Sequence, residues 1–137
     1  QGAAINRFAS AYTEGPVISF GGIHPECENY KEILKEIKNL GLKGIKLHPD
    51  YQNFFADDEK AFPIYQKCSD LGLMIVFHGG YDPMCDVIHG SPKAFAEIHK
   101  KFPDLTMVLA HLGGMLFGLI LILYWRKKSN NNGTYYS

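Results

Sequence analysis

Two apolar runs in this sequence end in the same way. LGLMIVFHGG occupies residues 71–80 and LTMVLAHLGG residues 105–114, and each closes on a histidine followed by glycines. A short uncharged run rich in Val, Ile, Leu and Phe and bounded by turn residues is the pattern of a strand covered on both faces. VISFGG lies between Gly15-Pro16 and His24-Pro25, and GIKLH follows Gly41 and Lys43. Strands are therefore predicted over 17–22, 44–48, 73–78 and 105–110. The intervening segments have helical spacing. Over 26–40 the residues Tyr30, Ile33, Leu34, Ile37 and Leu40 fall on one side, with Gly41 as the C-cap. A second helix is predicted over 61–71, with Pro63 in its first turn and Gly72 ending it. Ser91-Pro92 opens a third, which runs to about Lys101 and buries Ala94, Phe95, Ile98 and Phe102. Residues 1–12 predict one more helix in front, with Ala4, Phe8 and Tyr12 along one side. Regular alternation of strand and helix specifies a parallel α/β unit.

In such folds the strand C-terminal ends build the functional site. Four of the histidines, His24, His48, His78 and His111, fall there, whereas His89 lies in a loop and His99 on a solvent-facing helix position. A single histidine at a strand end is commonly a turn residue that bonds nearby backbone. Four at one rim point to imidazole ligands, and imidazoles with nearby carboxylates suit zinc and similar divalent ions. Lys46 lies two residues before His48, so both side chains leave the same side of the strand. A lysine in an apolar strand needs a partner, either a substrate carboxylate or an inner acid. Gln52 and His24 are placed to line the same mouth, and Asp82 in GGYDP lines it or caps a turn. Fourteen basic and fourteen acidic residues cancel, so no broad attraction to nucleic acid is expected. Cys27, Cys68 and Cys85 form no C-x-x-C pair, which favours a reduced, cytoplasmic setting.

GGIHPE (21–26), GLKGIKLHPDYQNFF (41–55), LMIVFHGG (73–80) and FPDLTMVLAHLGG (102–114), in this order and spacing, resemble the amidohydrolase-related family. More narrowly they resemble its second large group, which contains metal-dependent hydrolases and nonoxidative decarboxylases. The resemblance implies an α/β fold that is part of a (β/α)8 TIM barrel, with about four parallel strands corresponding to strands 3 to 6. It implies that His78 matches the strand 5 metal ligand. His111 would match the strand 6 histidine, which binds metal or activates the bound water or substrate. Lys46, His48, Gln52 and His24 would contact a small-molecule substrate. The cofactor implied is a divalent metal ion, zinc above others. The activity implied is hydrolysis of a C–N or C–O bond by metal-activated water. The alternatives are nonoxidative decarboxylation and a non-catalytic barrel fragment.

The family pattern also requires a His-x-His pair on strand 1 and an aspartate ending strand 8, and this sequence has neither motif. Residues 1–114 read as the central portion of a barrel, and 115–137 as an apolar then low-complexity tail. A fragment of a larger enzyme, a truncated gene or a frame shift near Met115 would each give this. Residues 105–125 are long enough to span a bilayer, but His111 in their middle and the turn at Pro103-Asp104 argue against a span. A partial barrel leaves open strand edges, so a homodimer closing them, or poor solubility, is expected.

Overall fold

The computed structural model describes residues 2–80, 82 and 84–111, so expectations for the tail at 115–137 lie outside the described residues. The elements are α1 (Gly2–Ala11), β1 (Gly21–Gly22), α2 (Tyr30–Asn39), β2 (Gly44–Leu47), α3 (Phe62–Leu71), β3 (Met74–His78), α4 (Pro92–Lys101) and β4 (Met107–Ala110). The strands form one parallel sheet in the order β1-β2-β3-β4. Sequential parallel strands joined by helices are the repeating unit of a (β/α)8 barrel, and this is a partial one, as the sequence predicts.

Local signals set the helix boundaries. The Ser91 hydroxyl accepts from the Ala94 N–H at 3.2 Å, and Pro92 takes the first helical position of α4. Gly72 ends α3 in the left-handed conformation, at φ 64°. Between α3 and α4 lies an aromatic cluster. Phe77 meets Tyr65 edge-on at 5.6 Å and Phe95 at 5.2 Å, and Tyr65 also meets Phe102 edge-on at 5.9 Å. The Tyr65 hydroxyl, inside this cluster, donates to the Ala56 carbonyl at 2.7 Å, and burial raises its pKa. Burial likewise pushes the Cys68 thiol up to about 12, which makes it an inert core residue.

The bounds of one element are corrected. The first strand is confined to Gly21–Gly22 instead of spanning 17–22, and Val17 and Ile18 are exposed. The residues of 17–20 make no ladder with β2, whose first partner in β1 is Gly21. Helix α1 forms where the sequence predicts, with Phe8 and Tyr12 on one side and their rings 4.7 Å apart; that side faces outward, and Asn6 is the buried residue. The Asn6 amide accepts from the Gly22 N–H at 2.8 Å and donates to the Gly22 carbonyl at 3.3 Å. It satisfies edge groups of β1 as a neighbouring strand would. Gly21 permits this approach, because a Cβ there would lie 2.7 Å from the Ile37 side chain and 3.2 Å from the Asn6 carbonyl oxygen.

The faces of the sheet also differ from the expectation of strands covered on both sides. Ile45, Leu47, Ile75 and Phe77 are buried on the helix-covered face. The alternating residues Lys46, His48, Met74, Val76 and His78 are only half-buried. Four strands make an arc, and the second face is the inner wall of that arc. Among the described residues no helix is long and apolar enough to cross a membrane.

Candidate functional site

The site grows from the register of β2 and β3. Lys46 pairs with Val76 and Leu47 with Phe77, so His48 and His78 leave adjacent strand ends on the inner wall side by side. Their rings stack with centroids 3.9 Å apart and planes 13° apart. Tyr51 covers the other face of His48 at 4.0 Å and 3°. His111, one residue beyond β4, meets His78 edge-on at 4.8 Å. His111 is exposed and has φ 58°, an uncommon left-handed conformation for a residue with a side chain.

Asp82 faces this stack from the arc that follows β3. Its Oδ1 accepts from the Met84 N–H at 2.9 Å. Its Oδ2 lies 3.9 Å from Nε2 of His48 and 3.9 Å from Nε2 of His78. The Met84 bond is the main reason the Asp82 carboxyl lies below its ordinary pKa. A hydrogen bond to Asp82 raises the Tyr51 phenol. Burial depresses both imidazoles, aided for His48 by the Lys46 charge and for His78 by His48, Lys46 and His111. The site thus favours neutral rings beside an ionised carboxylate.

These are the protonation states a metal needs. One ligand atom from each of His48, His78 and Asp82 lies within 4.8 Å of the others. Ligands about 2.1 Å from one ion sit roughly 3.0–3.4 Å apart, so the two 3.9 Å reaches from Asp82 need to close by about half an ångström to seat a divalent ion, and a separation as wide as 4.8 Å by more than an ångström. Two imidazoles and a carboxylate suit zinc, manganese or iron. His48 carries one condition, because its Nδ1 accepts from the Tyr51 N–H at 3.3 Å. A neutral ring holding that bond bears its proton on Nε2, and using Nε2 as a ligand requires the bond to yield.

The other sequence-predicted residues take separate places. Lys46 is half-buried beneath the stack, desolvation lowers its pKa, and no carboxylate partner is seen among the described residues. Gln52 turns both ends of its amide to backbone: Oε1 accepts from the His48 N–H at 2.8 Å and Nε2 donates to the Ile23 carbonyl at 2.8 Å. It thereby laces the end of β1 to the end of β2. His24 is exposed, and its Nδ1 accepts from the Glu26 N–H at 3.3 Å, as in a local turn. Tyr51 and Asp50 were not singled out by motif. Their position directly after His48, in HPDYQ, was the available signal. The glycines after His78 serve the loop: Gly80 has φ 98° and its N–H reaches the Gly90 carbonyl at 3.3 Å.

Comparison with known proteins identifies a family for the chain. A family model described as Amidohydrolase matches residues 3–128. A 2-amino-3-carboxymuconate-6-semialdehyde decarboxylase from Dictyostelium discoideum is 26% identical over 130 residues, covering 80% of this chain and 36% of that protein. An uncharacterised TIM-barrel protein from Bordetella bronchiseptica has TM-score 0.68 and 26% identity, covering 92% of this chain and 46% of that one. A 5-carboxyvanillate decarboxylase from Novosphingobium aromaticivorans, solved with bound manganese, has TM-score 0.61 and 20% identity, covering 97% and 45%. The chain therefore spans less than half the length of these relatives. At 20% identity the last likeness shows the fold alone.

Proposed function

Because this chain belongs to the amidohydrolase-related family, we propose that it is the central part of a metal-dependent nonoxidative decarboxylase of a small carboxylic acid. This is the alternative expected from the sequence, and it is favoured here over hydrolysis. The observation that carries it is the meeting on one wall of a His48–His78–Asp82 cluster with a half-buried Lys46 that has no carboxylate partner among the described residues. A 26% identical relative named as a decarboxylase supports it.

His78 and Asp82 would hold a divalent ion, with His48 or donors outside the described residues completing the set. Such an ion supplies charge neutralisation for the acid's oxygens. In decarboxylation the carbon–carboxylate bond breaks, its electron pair stays on carbon, and a proton takes the place of the departing CO2. Lys46 holds the carboxylate by a charge-assisted hydrogen bond until that point. His111, exposed beside His78, holds the proton to be delivered. The half-open inner wall admits the substrate, and the Tyr51 ring offers it a flat apolar face.

Lys46 gives the test. With Mn2+ present, the chain should bind 2-hydroxybenzoate in preference to phenol. Lys46→Met should erase about 10-fold or more of that preference, the worth of one hydrogen bond to a charged group, and Lys46→Arg should retain most of it. Calorimetric titration reads the effect. A preference for the acid that survives in Lys46→Met would refute the assigned role.

A further inference from the structure

We propose that Asp50 and His89 are a positioning pair that fixes the distance between the two halves of the metal cluster. They touch neither metal nor substrate. The inference rests on the proposed function in that the cluster is taken as the metal site.

The cluster is assembled from two separate arcs. His48 and Tyr51 lie on the arc after β2, and Asp82 lies on the arc between β3 and α4. Nothing in the sheet ladder sets how these arcs stand relative to each other, because the last β2–β3 pair is Leu47 with Phe77. The arcs are joined at a second place. Oδ1 of Asp50 accepts from the backbone N–H of His89 at 2.8 Å and lies 3.1 Å from its Nδ1. Both side chains are nearly enclosed, with 2% and 12% exposure. The Ala56 N–H donates to the His89 carbonyl at 2.9 Å, and the Phe55 ring lies 4.8 Å from the His89 ring. The Gly80–Gly90 bond closes the base of the Asp82 arc next to this joint.

A buried hydrogen-bonded pair of this kind adds little net stability over apolar residues of similar size, but it demands a particular geometry. Here that geometry governs a reach of 3.9 Å between Asp82 and each imidazole. Asp50 lies two residues from His48 in sequence and His89 seven residues from Asp82. A shift at the joint therefore reaches His48 through the two residues that separate it from Asp50, and reaches Asp82 through an arc whose base is held by the Gly80–Gly90 bond.

The test compares two substitutions of similar size. Asparagine places an N–H near the position of the histidine Nδ1, whereas glutamine places it near that of Nε2. His89→Asn should bind Mn2+ within about threefold of the unaltered chain, and His89→Gln should bind about 10-fold or more weakly, the range typical of residues that orient ligands. Electron paramagnetic resonance of free Mn2+ reads both, with thermal unfolding as the control for a purely structural effect. A second readout needs no metal. Stacking between Tyr51 and His78 should displace the His48 ring-proton resonances upfield, and this displacement should persist in His89→Asn and collapse in His89→Gln. Equal behaviour of the two variants, retained in both or lost in both, would overturn the pair. If the unaltered chain shows the displaced resonances but takes up no Mn2+, the metal reading fails, while the resonances of the two variants still decide the positioning role.

Discussion

Replacing His78 by alanine should abolish detectable Mn2+ or Zn2+ binding, with a loss of about 100-fold or more, beyond the 10–100-fold typical of supporting residues. His78 is the hub of the site. It stacks on His48, meets His111 edge-on and faces Asp82 through Nε2. Its side chain is half-buried, so truncation removes a ligand without emptying the core. Calorimetric titration of the variant checks the loss, and binding equal to that of the unaltered chain would remove His78 from the site. The acid side of the pH profile follows from the same residue. Burial, with help from neighbouring cations, depresses the His78 and His48 pKa values below the ordinary 6.5. The neutral, ligating form therefore persists as pH falls through 6.5, and binding should fade only at lower pH, as the depressed values are crossed.

The largest loss of stability should come from Gly44→Ala. Gly44 opens β2 and pairs with Met74 of β3. A Cβ at this position would overlap the Met74 carbonyl oxygen, with the Met74 carbonyl carbon at 2.8 Å. That carbonyl belongs to the backbone of the adjoining strand and cannot swing aside as a side-chain tip could. Overpacking costs about 1–3 kcal/mol, and overlap with a neighbouring backbone places this site at the upper end of that range, so the melting temperature should fall by roughly 10 °C. Urea and thermal unfolding measure it. A variant as stable as the unaltered chain would mean that β2 and β3 are not in this register.

Both predictions depend on features of unequal visibility in the sequence. The strands β2, β3 and β4 could be read because GIKL, MIVFH and MVLA are apolar runs between turn signals, and helix α4 because Ser91-Pro92 announces its start. β1 was overextended because Val17 and Ile18 have strand-like composition, while pairing with β2 begins only at Gly21. The stripe of Phe8 and Tyr12 along one side of α1 was legible, but apolar spacing identifies a helix face and not what that face meets, and here it meets solvent. The buried element is Asn6, whose amide completes the edge of β1, a role set by long-range placement.

The site divides in the same way. Histidines at strand ends were legible because the end of a strand can be located from its apolar run. Gathering His48 with His78 follows from adjacency of β2 and β3, also legible from chain order. Asp82 was legible from GGYDP as a residue that lines the mouth or caps a turn, and it does both; Asp50 and His89 are different, since their meeting is decided by bonds between residues far apart in sequence. The role of Gln52 was hidden for the same reason, because one of its partners is the Ile23 carbonyl on another strand end.

The central claim is that the rim formed by β2, β3 and the arc carrying Asp82 is a divalent-metal site. Paramagnetic broadening by Mn2+ in the 15N-labelled chain tests it most directly. Substoichiometric Mn2+ should first erase the amide signals around His48, Tyr51, His78 and Asp82, and leave those of α3 sharp. Broadening centred instead on the exposed acids near Glu26 and Glu28 or near Asp57 and Glu59, with the rim unaffected, would contradict the account.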